Sequence, residues 1–383
     1  MKTAKPVPVW SVISPIAGWL LLAGTAFGAG GGIYALLLGM GLLTGVLSAV
    51  HHAEVVAHRV GEPYGTLVLA VAVTVIEVAL IVSLMISGGP ATTALARDTV
   101  FAAIMIILNG IVGLCLLVGG TRFGEQTFGL YGVSASLGTL AAISGLTLVL
   151  PNYTTTMVGP FYSSSQLGFV AIISLVLYGT FVLVQTIRHR DYFLPAITDN
   201  SEDKKAAKDI RNSKESKDKK DNNEELHAPP PSTTIALISA MLLLACLGAV
   251  VLLAKSLAPA VETAVTAAGA PKTLVGVIIA AVVLLPEGFA AVRAACINRL
   301  QTSLNLALGS ALASIGLTIP AVAIVSLMTG WTLTLGLDAK ATVLLVLSLF
   351  VSTLSLGTGR TTVLQGTVHL VIFAAYLFTT VVP

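Results

Sequence analysis

Charge is what this 383-residue chain has least of: Asp, Glu, Lys and Arg together make up 10% of it, against 55% hydrophobic residues. A soluble domain carries about 25% charged residues, so a water-facing surface of ordinary composition is excluded and lipid is the expected solvent. Cysteine is scarce too. Cys115, Cys246 and Cys296 stand alone, with no Cys-x-x-Cys or Cys/His spacing, which excludes a disulfide framework and a zinc site and leaves them as packing residues. No HExxH pair, clustered aspartates, nucleophile with a base partner or phosphate-binding loop is present, which speaks against a membrane-embedded enzyme. No cofactor is expected. A passive channel, the other alternative, lacks its repeated carbonyl filter or charged rings.

The few charges are unevenly placed. Between Arg188 and His227 lie ten Lys/Arg and ten Asp/Glu, 20 of the chain's 39 charged residues. The formal net charge of +3 therefore describes a balanced linker and scattered loop ends, not a basic face for nucleic acid. The linker, residues 191–231, is rich in Lys, Asp, Glu, Asn and Ser and ends in three prolines. It cannot bury enough apolar surface to fold alone, and it carries no motif for a regulatory or cation-sensing role.

A helix needs about 20 apolar residues to cross a bilayer. Eleven runs qualify, starting near Val9, Gly31, Gly65, Thr99, Gly129, Gln166, Thr233, Thr273, Ser303, Ala341 and Thr361. Long apolar runs without period-two alternation predict an all-α polytopic membrane protein, not a barrel. The first run follows Lys2 and Lys5 and ends in small residues like a signal peptide, yet it is read as a retained helix because the charge topology works with it in place. With the N-terminus in the cytoplasm, 17 Lys/Arg fall inside and 4 (Arg97, Lys255, Lys272, Lys340) outside. That asymmetry is the one the positive-inside rule demands, and it puts the C-terminus on the periplasmic face of an inner membrane.

The linker divides the helices into six and five. Setting aside the first leaves five plus five, and an odd number per half forces the halves into opposite orientation. The expected organisation is 1–30 as an extra helix, 31–190 as the first repeat, 191–231 as a cytoplasmic linker and 232–383 as the second repeat. In the second helix of each half a lone glutamate interrupts the apolar run: Thr74-Val-Ile-Glu77-Val and Leu284-Leu-Pro286-Glu287-Gly288.

A carboxylate at mid-membrane costs several kcal/mol unless it is protonated, paired or bound to a cation. No Lys or Arg is expected within either glutamate's helix to pair with it. Desolvation favours the protonated form and a bound cation the ionised one, so proton and cation compete for the same group. If the empty ionised state cannot cross, each crossing carries protons or cation, and antiport follows. A structural hydrogen bond between helices is the plainer reading of one such glutamate; two at equivalent places in opposed repeats argue for an exchange site. Glu77 and Glu287 are thus the candidate cation and proton ligands. Pro286 and Gly288 can free backbone carbonyls as hard oxygen donors. Asn109, Ser310, Ser314 and Thr74 are weaker candidates, since small polar residues in membrane helices also serve close packing. His58, Glu62 and Glu54, at the cytoplasmic end of the second helix, form a candidate entrance or proton relay, with a solvated interfacial helix as the plainer reading. His369 is read as a hydrogen-bonded packing residue.

Several of these stretches resemble the calcium/cation antiporter superfamily, and among its branches the bacterial ChaA-type calcium/proton (also sodium or potassium/proton) antiporters. The resemblance spans nearly the whole chain and is carried by His58-Arg-Val-Gly-Glu62-Pro-Tyr-Gly65, Ile76-Glu77-Val, Arg97-Asp98-Thr99, Leu-Leu-Pro286-Glu287-Gly288, Asn305-Leu-Ala-Leu-Gly309-Ser310, Leu317-Thr-Ile-Pro320, Thr358-Gly-Arg360-Thr361 and His369-Leu. It implies two inverted five-helix repeats, with ion-binding glutamates at Glu77 and Glu287 and with Asn109 and the Ser310 region lining the site. Inorganic cations, calcium first and then sodium or potassium, are the implied substrates, with protons and the bilayer as the other partners. Thr74, Leu284 and Ala313 stand where wider members carry asparagine, asparagine and glutamine, so fewer oxygen donors are on offer than calcium's usual six to eight.

Overall fold

The computed structural model describes residues 8–61, 64–193, 231–271 and 273–382. Glu62 of the expected entrance, and most of the linker, lie outside the described residues.

Among the described residues, eleven helical spans are long and apolar enough to cross a membrane. They are built from α1 (Val9–Ala26), α2 (Gly32–Val60), α3 (Tyr64–Gly88), α4 (Leu95–Met105) continued by α5 (Val112–Phe123), α6 (Leu130–Ser144), α7 (Ser164–Leu183), α8 (Thr233–Ala267), α9 (Thr273–Cys296), α10 (Leu300–Thr329), α11 (Ala339–Leu356) and α12 (Val363–Val381). Where caps are visible they explain the starts. Ser163 and Gln166 form a reciprocal capping box at α7, and the Asp338 carboxylate accepts from Ala341 N at 2.7 Å at α11, each satisfying amides that the first turn leaves open. Helix α9 runs on through Arg293 in its last turn, so a cation does share the Glu287 helix, six residues beyond it.

Packing follows the inverted repeat. The first helices of the two halves, α2 and α8, lie against each other; α3 packs on α10 and α9 on α4 and α5; α7 packs on α10 and α12 on α5. Each half's second and fifth helices therefore embrace the other half's third. The loops repeat the relation at opposite ends of the bundle. Strand β1 (Gln126–Thr127), after the first half's third helix, pairs antiparallel with β2 (Arg360–Thr361), before the second half's fifth. At the other end Phe161, before the first half's fifth helix, bridges Thr334, after the second half's third.

Two apolar cores result. The larger joins α4 to α7 with α9 to α12; the smaller joins α2 and α8 to the near faces of α3 and α9. Helix α1 docks on this smaller group through a backbone defect. Pro15 cannot donate to the carbonyl of Ser11 four residues earlier, and that oxygen is taken instead by Ser48 Oγ at 2.7 Å and His52 Nε2 at 3.0 Å, both from α2. His52 is fully buried in this tether. Helices α5 and α12 also approach closely, for a Cβ on Gly113 would stand 2.9 Å from His369 Cβ and one on Gly366 would strike the backbone of Leu117.

Candidate functional site

Glu77 stands 13 residues after Tyr64 and 11 before Gly88, about 20 and 16 Å of helix at 1.5 Å per residue. Glu287 stands 14 residues after Thr273 and 9 before Cys296, about 21 and 14 Å from the ends of α9. Both carboxyls therefore sit deep in the bundle. The faces that carry them converge, since Ile76, Leu80 and Val283 share the smaller core, and Glu287 lies within electrostatic range of Glu77.

The two environments differ. Glu77 is 4% exposed and accepts a hydrogen bond from the hydroxyl of Ser314 on α10, itself 1% exposed. The donor comes from the opposite repeat, as the cross-packing requires. Glu287 is half-buried, and its Oε2 is buried without a hydrogen-bond partner among the described residues. A buried carboxylate oxygen left without a donor costs about 1–3 kcal/mol or more, which a proton or a cation on that oxygen removes. Pro286 withholds its amide from the carbonyl of Val282 one turn before, adding a free backbone oxygen close to Glu287.

The other candidates divide. Thr74, one turn before Glu77, is buried. Ser310, one turn before Ser314, is half-buried. Thr318, one turn after Ser314, is fully buried with an unpartnered hydroxyl among the described residues. It was not foreseen as a site residue, although the four-residue spacing Ser310-Ser314-Thr318 places all three on one helix face.

Asn109 is fully buried in the wide turn between α4 and α5. Its Nδ2 donates to Ser348 Oγ at 2.8 Å, and its Oδ1 lies 3.3 Å from His369 Nδ1. Near the C-terminal end of α2, Glu54 and His58 are both exposed, and Glu54 lies within charge range of Arg293 at the foot of the Glu287 helix. Arg59 Nη2 donates to Thr233 Oγ1 at 2.8 Å. At the opposite end Arg97 pairs with Asp98 at 2.8 Å and reaches the Gly336 carbonyl at 3.2 Å, beside a cavity of about 80 Å³ that Thr273 and Val277 of α9 also line. This ties the first repeat to a loop of the second.

The sequence profile described as "Sodium/calcium exchanger protein" matches residues 31–187 and 238–382. A Sinorhizobium fredii protein, y4hA, whose name assigns it provisionally as an ionic transporter, is 48% identical over 384 residues, covering 98% of this chain and 97% of its own. The sodium-potassium/proton antiporter ChaA of Escherichia coli is 38% identical over 344 residues, covering 90% and 87%. Among solved structures, native YfkE superimposes with a TM-score of 0.69 at 16% identity, covering 98% of this chain and 100% of its own. The H+/Ca2+ exchanger CAX gives 0.69 at 15%, covering 96% and 87%. At those identities the two structures speak for the fold alone.

Proposed function

The chain belongs to the sodium/calcium exchanger protein family, a family of membrane transporters and not of enzymes, and from that premise we propose that it is a secondary cation/proton antiporter. Cation and protons compete in it for Glu77 and Glu287 during alternating access. The observation that carries this is the pairing itself: two lone carboxyls at equivalent depths of opposed repeats, within electrostatic range of each other, one holding a serine hydroxyl and the other leaving an oxygen bare.

The physical chain is short. Two carboxylates within electrostatic range of each other strongly disfavour joint ionisation in a low-dielectric interior without a counter-charge. A bound cation supplies that charge; protonation abolishes the need for it. Ser314, with Ser310 and Thr74 one turn from it and from Glu77, adds neutral oxygens, and the Val282 carbonyl freed at Pro286 adds another. The family resemblance puts Ca2+ first, and a donor set smaller than calcium's usual six to eight oxygens also admits Na+ and K+, the ions named for the 38% identical antiporter. The smaller core, α2 with α8, can slide against the larger one to change which end of the bundle reaches the glutamates. Glu54 and His58 flank the cytoplasmic mouth and gather cations or relay protons there, a role the sequence extends to Glu62. The 17-to-4 distribution of Lys and Arg supports a multi-pass inner-membrane protein with the N-terminus cytoplasmic and the C-terminus periplasmic.

The test is proton movement in everted membrane vesicles, followed with a pH-sensitive dye as Ca2+, Na+ or K+ is added. Cation-triggered dequenching that both Glu77→Gln and Glu287→Gln abolish supports exchange at the pair. Full activity in both variants returns the glutamates to structural roles.

A further inference from the structure

His369 is a deeply buried titratable side chain of the second repeat that the exchange mechanism leaves unused. It sits in α12, fully buried, where the chain comes so close to α5 that residue 113 must be glycine. Its Nδ1 faces Asn109 Oδ1 at 3.3 Å, and its Nε2 has no partner among the described residues. The amide of Asn109 is committed on its other side, with Nδ2 on Ser348 Oγ at 2.8 Å and Met105 Sδ at 3.8 Å. Since that nitrogen donates, Oδ1 is the atom turned to His369, and Nδ1 must carry the ring proton to bond it.

The residues gripped in this way are not ordinary helix. Ile106–Ile111 is a single wide turn joining α4 to α5, in which Val112 N reaches back five residues to the Ile107 carbonyl. Such a turn carries one residue more than the α-helical repeat, displaces the ladder and is frequent at functional sites. Its two faces look in different directions. Asn109 faces His369 and Ser348, while the Ile111 side chain lies 3.3 Å from where a Cβ on Gly288 would stand. Gly288 is the neighbour of Glu287. The wide turn is thus the mechanical link between a buried histidine and the barer of the two glutamates.

We propose that His369 is a positioning residue for the Glu287 half of the site: through Asn109 it holds the wide turn in the register that presses Ile111 onto Gly288, and so sets cation affinity. The role needs a hydrogen-bond donor at Nδ1, not a change of charge. It rests on the reading of Glu77 and Glu287 as the exchange site, which the two Gln variants test separately.

The experiment compares His369→Leu, His369→Asn and His369→Gln in the full chain, in everted vesicles, with Ca2+, Na+ and K+ in turn. One neutral hydrogen bond is worth about 1 kcal/mol, or roughly fivefold in an equilibrium constant. His369→Leu is expected to raise the half-saturating cation concentration about that much, at a maximal rate per mole of protein within about twofold of wild type. His369→Asn, whose amide N–H falls where Nδ1 was, is expected to restore the wild-type value; His369→Gln, whose amide falls nearer Nε2, is not. If the leucine variant does not accumulate, the Asn and Gln pair decides alone. Half-saturation unmoved in Leu or Gln overturns the proposal, and so does an Asn variant as weak as Gln. These results leave the glutamate reading standing, whereas wild-type exchange in Glu77→Gln and Glu287→Gln removes that reading whatever His369 does.

Discussion

Replacing Ser314 with alanine removes the hydroxyl that Glu77 accepts from, at a position 1% exposed. The cation-bound state needs Glu77 ionised, and a hydrogen bond to a charged group is worth about 1.5–3 kcal/mol. The protonated state needs that donor far less, because a neutral carboxyl is cheaper to bury. Most of the loss therefore falls on the cation-loaded form. At 1.4 kcal/mol per decade, the half-saturating cation concentration is expected to rise roughly 10- to 150-fold. The assay is cation-dependent dequenching in everted vesicles, normalised to protein present, with Ser310→Ala alongside. Ser310 is half-buried and one turn away, so its truncation is expected to shift half-saturation several-fold less. A Ser314→Ala value within twofold of wild type would refute the claim that Glu77 binds the ion in its ionised form with Ser314 at its side.

Three further expectations follow from the packing. Gly366→Ala drives a methyl into the Leu117 backbone, whereas Gly179→Ala meets nothing within 4 Å; the first should strip monodisperse protein from a detergent extract on size exclusion and the second should not. His52→Leu removes a donor from the Ser11 carbonyl that Pro15 frees, so a thermal melt should register about 1–2 kcal/mol of lost stability while half-saturation for cation stays put. Cys115 and Cys246 are fully buried and Cys296 is half-buried at the end of α9. A membrane-impermeant maleimide should therefore label Cys296 alone, in everted vesicles and not in right-side-out ones; the reverse pattern contradicts the proposed orientation.

Much of the architecture was legible because lipid imposes one strong rule, helices long enough to span it. The starts of α1, α8 and α9 fall where the apolar runs begin, at Val9, Thr233 and Thr273. Others shift by a few residues because caps and short entry turns lie outside the apolar run: α4 begins at Leu95, not Thr99, and α10 at Leu300, not Ser303. The glutamate pair was visible because a lone carboxyl in an apolar run has so few physical explanations. What hid from the sequence was the direction in which weaker polar groups point. Asn109 stands out by its residue type, but its bonds to Ser348 and His369 from the wide turn at Ile106–Ile111 are tertiary and leave no mark in the sequence. Wide turns arise from tertiary partners, and no local pattern marks them. The tether of α1 was hidden for the same reason: Pro15 and His52 each look like an isolated oddity until the Ser11 carbonyl joins them.

Competition between cation and proton at two carboxyls has a signature that needs no membrane gradient. Purified protein in weakly buffered detergent should release protons when Ca2+, Na+ or K+ is added, with a pH electrode or dye recording the count per mole. The account predicts release by the wild type and little or none from Glu77→Gln or Glu287→Gln at equal protein. Equal release from all three would place the exchanged protons elsewhere and contradict it.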